Sequence, residues 1–152
     1  MTEAHHHADD LLVIGYGNEL RRDDGVGPKL ARAVAEKNWP GVSIIACHQL
    51  TPELAEPIWR VHAVVFVDAI ADGSTEVRAR DLTVVPGAQI MTHAADPQSL
   101  LALAWQVFAA CPRAWWVTIP VTDLGFGDML SPLAQRGLET ALEKVHELRL
   151  SL

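Results

Sequence analysis

Cysteine, positive charge and long apolar runs are all scarce in this sequence, and each scarcity closes off a class of function. Cys47 and Cys111 stand far apart and in no CxxC pair, which excludes a disulfide scaffold and a thiolate zinc site. Cys47 ends the apolar run VSIIAC and reads as a reduced, buried thiol of a cytosolic protein. Lys and Arg number 12 against 19 Asp and Glu, giving a formal net charge of -7. That balance offers no basic face for nucleic acid or an anionic membrane, and serves solubility instead. The first ten residues, MTEAHHHADD, are too polar and acidic for a signal peptide. The most apolar window, Leu100 to Cys111, is short of a membrane span and is interrupted by Gln106. No GxSxG elbow is present, and Ser43, Ser74 and Ser131 each have a structural explanation in a strand, a turn and a helix cap.

What is present is an ordinary globular balance, 49% apolar and 20% charged, without a repeat or a low-complexity linker. The 152 residues suffice for one hydrophobic core. Residues 1–10 are expected to be a flexible N-terminus, with His5, His6 and His7 at a frayed end or binding metal adventitiously, and residues 11–152 a single domain.

Apolar runs predict strands at Leu11 to Gly15, Val42 to Cys47, Val61 to Val67 and Ala114 to Ile119, with one or two more between Val77 and Val85. The spacing of Val26, Leu30, Ala31, Val34 and Ala35 predicts a helix over Val26 to Lys37. Thr51-Pro52, Asp96-Pro97 and Ser131-Pro132 each place a capping residue before a proline, and open helices that run to about Arg60, Ala110 and Leu148. The order β-α-β-α-β-β-α-β-α predicts an α/β three-layer sandwich, a mainly parallel twisted sheet of about five strands covered by helices on both faces. Right-handed crossovers then gather the loops that follow the strands on one edge, where such sheets bind ligands.

LLVIGYGNELRRDDGVG, Leu11 to Gly27, is the stretch that carries chemistry. A strand breaks at glycines and delivers Asp23 and Asp24 to a helix start, where the helix dipole favours negative charge. Asp24 follows the first strand, Asp68 the third and His93 the Val77 to Val85 region, and they would meet at one sheet edge as an O,O,N donor set for a divalent transition metal. Taken singly, they read as a helix cap, a turn cap and a loop histidine. Asp123 and Asp128 in TDLGFGDMLSP could line the same edge, and Trp105, Trp115 and Trp116 read as core or groove-lining residues. A dinucleotide site is disfavoured: the third glycine of GxGxxG would fall at Leu20, and Cys47-His48 stands where a ribose-binding acid belongs.

These residues resemble a family, the [NiFe]-hydrogenase maturation proteases, which trim a C-terminal extension from the hydrogenase large subunit. GYGNELRRDDGVG fits the pattern G-x-G-N-x-x-x-x-D-D/E-G-x-G, followed by a strand ending in Asp68-Ala69 and by Thr92-His93 before a helix. The resemblance runs from about Leu11 to Leu148, and HQLTPELAEPI and AWWVTIPVTDLGFGDMLSP are similar to the branch serving bidirectional, NAD-linked hydrogenases. It implies an endopeptidase whose partner is the large-subunit precursor; a cytoplasmic monomer is the simplest expectation. It further implies that Asp24, Asp68 and His93 are at once the catalytic and the metal-contacting residues. The nickel would arrive already inserted in the substrate, with no organic cofactor, and would polarise the scissile carbonyl or activate water, unless a carboxylate is the base. Asp24 is the expected metal contact, Asp23 the charge at the helix start, and the glycines are expected to give the partner close access to the metal. A non-catalytic, metallochaperone-like binding module is the alternative on the same fold, and a nucleotide-dependent α/β enzyme a more distant one.

Overall fold

A computed structural model describes residues 9–84 and 96–152 of the chain. His5, His6, His7, Pro86-Gly87, the end of the Val77 to Val85 stretch and Thr92-His93 lie outside the described residues.

Strands β1 (Leu11–Tyr16), β2 (Val42–Cys47), β3 (Ala63–Ile70), β4 (Arg78–Leu82) and β5 (Arg113–Pro120) alternate with helices α1 (Val26–Glu36), α2 (Ala55–Trp59), α3 (Pro97–Phe108) and α4 (Pro132–Leu150). The sheet order is β2-β1-β3-β5-β4. All neighbours are parallel except β4, which pairs antiparallel with β5 at the edge. The element order and the mainly parallel, five-stranded α/β sheet are those expected from the apolar runs. The sequence of β4, RARDL, is exposed and charged, which suits an edge strand because charge discourages further pairing.

Alternation along the central strands divides the core in two. Leu11, Val13, Val65, Val67, Val117 and Ile119 pack on one face against Val26, Leu30 and Val34 of α1 and Ala134, Ala141 and Val145 of α4. On the other face Leu12, Ile14, Tyr16, Val64 and Phe66 pack against Ile58 of α2 and Leu100, Leu101 and Ala104 of α3. Each large apolar side chain buried in this way contributes about 1.5–3 kcal/mol.

Two caps form as read: Asp96 Oδ1 accepts from Ser99 N at 2.7 Å, and Ser131 Oγ from Ala134 N at 3.2 Å. The helix expected after Thr51 differs, opening as a 3-10 turn over Pro52–Leu54, and Thr51 accepts no capping bond from the backbone. Its hydroxyl instead hydrogen-bonds the Glu53 side chain. Strand β3 also runs past Asp68, because pairing with β5 continues through Asp68–Thr118 to Ile70–Pro120. Asp68 is therefore a strand residue and not a turn cap. Cys47 and Cys111 are half-buried, and burial pushes both thiols up in pKa, in keeping with inert cysteines.

Candidate functional site

The carboxyl end of β1 is built by close backbone contact. A Cβ added at Gly15 would sit 1.9 Å from the carbonyl oxygen of Gly27, at the start of α1. One added at Gly17, whose φ is +147°, would sit 1.9 Å from that of Asp24. The glycines thus admit the chain's own turn and helix, and leave no opening for a partner's backbone at those points. This corrects the expectation that they provide access to the metal.

The two adjacent aspartates are separated by that turn. Asp23 is 0% exposed, and its carboxylate reaches away from α1 to the segment between β5 and α4. Oδ2 accepts from Thr122 N at 3.1 Å, Asp123 N at 2.9 Å and Ser131 Oγ at 2.6 Å, and Oδ1 from Ser131 N at 2.7 Å. Burial pushes its pKa up, but the bonds from Ser131, Asp123 and Thr122 outweigh this and hold it below the ordinary carboxylate range. Asp23 is a clamp, bound to the segment after β5 and to Ser131, the N-cap of α4, and not placed as a charge at the start of α1. The clamp is reinforced by backbone bonds Asp23 N to Asp123 O, Arg22 N to Gly127 O and Gly127 N to Leu20 O, at 2.9, 2.8 and 2.8 Å. Arg22 sits at φ +44°, a costly conformation for a non-glycine residue, and is tied down by its Nε bond to Phe126 O.

Asp24 faces the site. Its Oδ2 accepts from Asn18 N at 2.8 Å, and the Asn18 side chain in turn accepts from Leu20 N at 3.0 Å. On the neighbouring strand, Asp68 Oδ2 accepts from the Tyr16 hydroxyl at 3.0 Å. Burial raises the Asp68 pKa to about 6; the Tyr16 and Ala69 hydrogen bonds pull it down, and the negative charge of Asp24 pushes it up. Asp24 and Asp68 therefore share one field at one sheet edge, as the strand order requires. His93, the expected third member, lies outside the described residues. Among the described residues no group of three His, Cys, Asp or Glu side chains is placed to hold a metal.

Tyr16 was not singled out from the sequence. The available signal was its register: Gly15 pairs with Val67, so Tyr16 at the end of β1 stands level with Asp68 on β3. Asp123 does lie beside the Asp23-Asp24 turn, where it pairs with Arg22 at 3.5 Å. Around the same turn Leu20, Phe126 and Met129 are 62%, 85% and 71% exposed, unusual for large apolar side chains on so well-tied a pair of segments. Trp115 is buried; Trp105 is 44% exposed.

The larger cavities lie elsewhere. One of about 600 Å³ opens at the other end of the sheet, between Leu11, Val42, Arg113 and Arg149, and one of about 460 Å³ lies between Leu82, Trp105 and Ala114. Neither touches Asp24 or Asp68, so size alone is a poor guide: the perturbed carboxylate, Asp68, is at an open edge.

No protein-family model and no curated protein matches the chain. Solved structures do. The chain is similar to the [NiFe] hydrogenase maturation protease HybD from Thermococcus kodakarensis, at 24% identity and TM-score 0.70 over 91% of this chain and 97% of that one. It is likewise similar to the hydrogenase maturating endopeptidase HybD from Escherichia coli, at 24% identity and TM-score 0.70 over 93% of each chain. A hydrogenase 2 maturation peptidase from a Thaumarchaeota archaeon matches at 20% identity and TM-score 0.69, over 92% of this chain and 97% of that one. Likeness at these identities establishes a shared fold over nearly the whole chain.

Proposed function

We propose that the chain, with residues 11–152 as one protease domain, is an endopeptidase of [NiFe]-hydrogenase maturation. It removes the C-terminal extension of a nickel-loaded large-subunit precursor, acting as a cytoplasmic monomer. The observation that carries the proposal is the pairing of Asp24 and Asp68 at one sheet edge, where burial and mutual charge hold Asp68 at a pKa of about 6. Solved proteins of this fold carry that activity in their names. Two further observations support the reading. No helix among the described residues is long and apolar enough to cross a membrane. Beside the Asp24 turn Leu20 and Phe126 are also exposed, which suits a protein substrate better than a small molecule.

In this reading nickel is part of the substrate. Asp24 and Asp68 offer hard oxygen donors and His93 an imidazole, an O,O,N set for a divalent transition metal that leaves positions for the precursor's own ligands. Cleavage of a metal-loaded precursor alone follows, because docking depends on contacts that nickel completes.

The test is the mass of the large-subunit precursor before and after incubation with the protein, with and without nickel. Shortening of the nickel-loaded form only is expected. Shortening of neither form would favour a non-catalytic metal-sensing module instead.

A further inference from the structure

Tyr16 is the one tyrosine of the chain and ends β1 inside the core, 8% exposed, among the residues packed under α2 and α3. A phenylalanine would fill that space equally well, so its hydroxyl calls for an explanation. A phenol taken out of water loses free energy unless its O–H finds an acceptor. Here the acceptor is the Oδ2 of Asp68, 3.0 Å away. Both groups sit on adjacent parallel strands in fixed register, Gly15 beside Val67, so the bond joins two rigid elements and not a loop to a strand. The direction of the bond is fixed by chemistry: a phenol O–H donates and the carboxylate oxygen accepts. The indole N–H of Trp116 is buried on the same face and acts on the same hydroxyl without completing a regular hydrogen bond, which leaves Asp68 as the bonded partner.

We propose that Tyr16 is a positioning residue for the metal contact: its hydroxyl holds Asp68 by Oδ2 in one orientation, toward the nickel ion that the precursor brings. This rests on the reading of Asp68 as a metal contact. A carboxylate between apolar strands and a neighbouring acid, Asp24, would otherwise turn toward whichever donor or water is nearest. The tyrosine removes that freedom before the metal arrives. Groups that orient a metal ligand in this way change affinity by about 10–100-fold when they are lost.

The experiment is a titration with Ni2+ alone of four proteins: wild type, Tyr16→Phe, Asp68→Asn and the double variant. Circular dichroism first establishes that each is folded; Tyr16→Phe keeps the ring and its packing. The expected result is a loss of about 10–100-fold in Ni2+ affinity for Tyr16→Phe, and no further loss when the change is made in Asp68→Asn. Because the chain has one tyrosine, 3-fluorotyrosine labels this position alone. Its fluorine resonance should broaden on adding Ni2+ to the wild type and stay sharp in Asp68→Asn, which places the bound ion beside Tyr16 through Asp68; the affinity comparison then separates a positioning role from a structural one. Unchanged affinity in Tyr16→Phe, or the same loss in both backgrounds, overturns the proposal. Failure of the wild type to shorten a nickel-loaded precursor would overturn the processing reading separately, since the Ni2+ titration does not depend on cleavage.

Discussion

Asp23 and Asp68 stand at the same end of the sheet and receive opposite treatment. Asp23 is sealed from solvent and given four hydrogen bonds, from two backbone N–H groups of the segment after β5 and from both donors of Ser131. Asp68 has the Tyr16 hydroxyl and the Ala69 N–H against burial and the charge of Asp24. One carboxylate is held below the ordinary pKa range and the other is raised to about 6. A charge whose lone pairs are all engaged stabilises a fold. One left short of donors costs stability and is available to a cation, which is why perturbed acids collect at functional sites. Asp24, next to Asp23 in sequence, turns its carboxylate to Asn18 N instead of to the segment after β5.

The comparison breaks most readily at Asp23. Asp23→Ala leaves the Ser131, Asp123 and Thr122 donors of these part-buried bonds without their acceptor, and a loss of about 2–4 kcal/mol is expected in chemical denaturation. A loss below about 1 kcal/mol would mean that the clamp is incidental.

Ser131→Ala, which removes one donor to Asp23 and the cap of α4 together, should lose about 1–3 kcal/mol by the same measurement.

Asp68→Asn should move stability the other way. A raised folded pKa means that the folded state holds the proton more tightly. The resulting stabilisation is therefore complete below the ordinary carboxylate pKa and disappears as pH rises through about 6. At pH 8 the variant should exceed the wild type by about 1–2 kcal/mol, allowing for solvent screening of a partly exposed group. The gap should close below about pH 4. For Asp23 the sign is reversed: its lowered pKa gives stability that is present above the ordinary value and lost as pH falls through the folded one. The acid limb of the unfolding profile should accordingly flatten in Asp23→Asn and persist in Asp68→Asn.

The smallest effect on stability is expected at Phe126, 85% exposed. Phe126→Ser should change it by less than about 0.5 kcal/mol while raising the KM for the precursor. Unchanged KM would remove the exposed rim from the docking surface.

Much of this arrangement was legible in the sequence where neighbours along the chain decide it. Asp96-Pro97 and Ser131-Pro132 open helices because the cap, the proline and the first turn are contiguous. The apolar runs fix the strands for the same reason, and the alternation of strands and helices then brings Asp24 and Asp68 to one edge. What was hidden depends on partners distant in sequence. Asp23 bonds to residues 99 to 108 positions away, so nothing in RRDD distinguishes it from Asp24. The bond of Tyr16 depends on the β1–β3 register, across 52 positions. The glycines read as openings because a sequence does not show which backbone fills them; here it is Gly27 and Asp24.

In the proposed function Asp68 is kept short of donors for the sake of a metal-bearing substrate. Nickel-loaded precursor incubated with wild type and with Asp68→Asn, and read by mass spectrometry beside the unfolding curves of both proteins, tests it most directly. The expected variant is more stable than the wild type at pH 8 and leaves the precursor at full length. An equally active Asp68→Asn would contradict it.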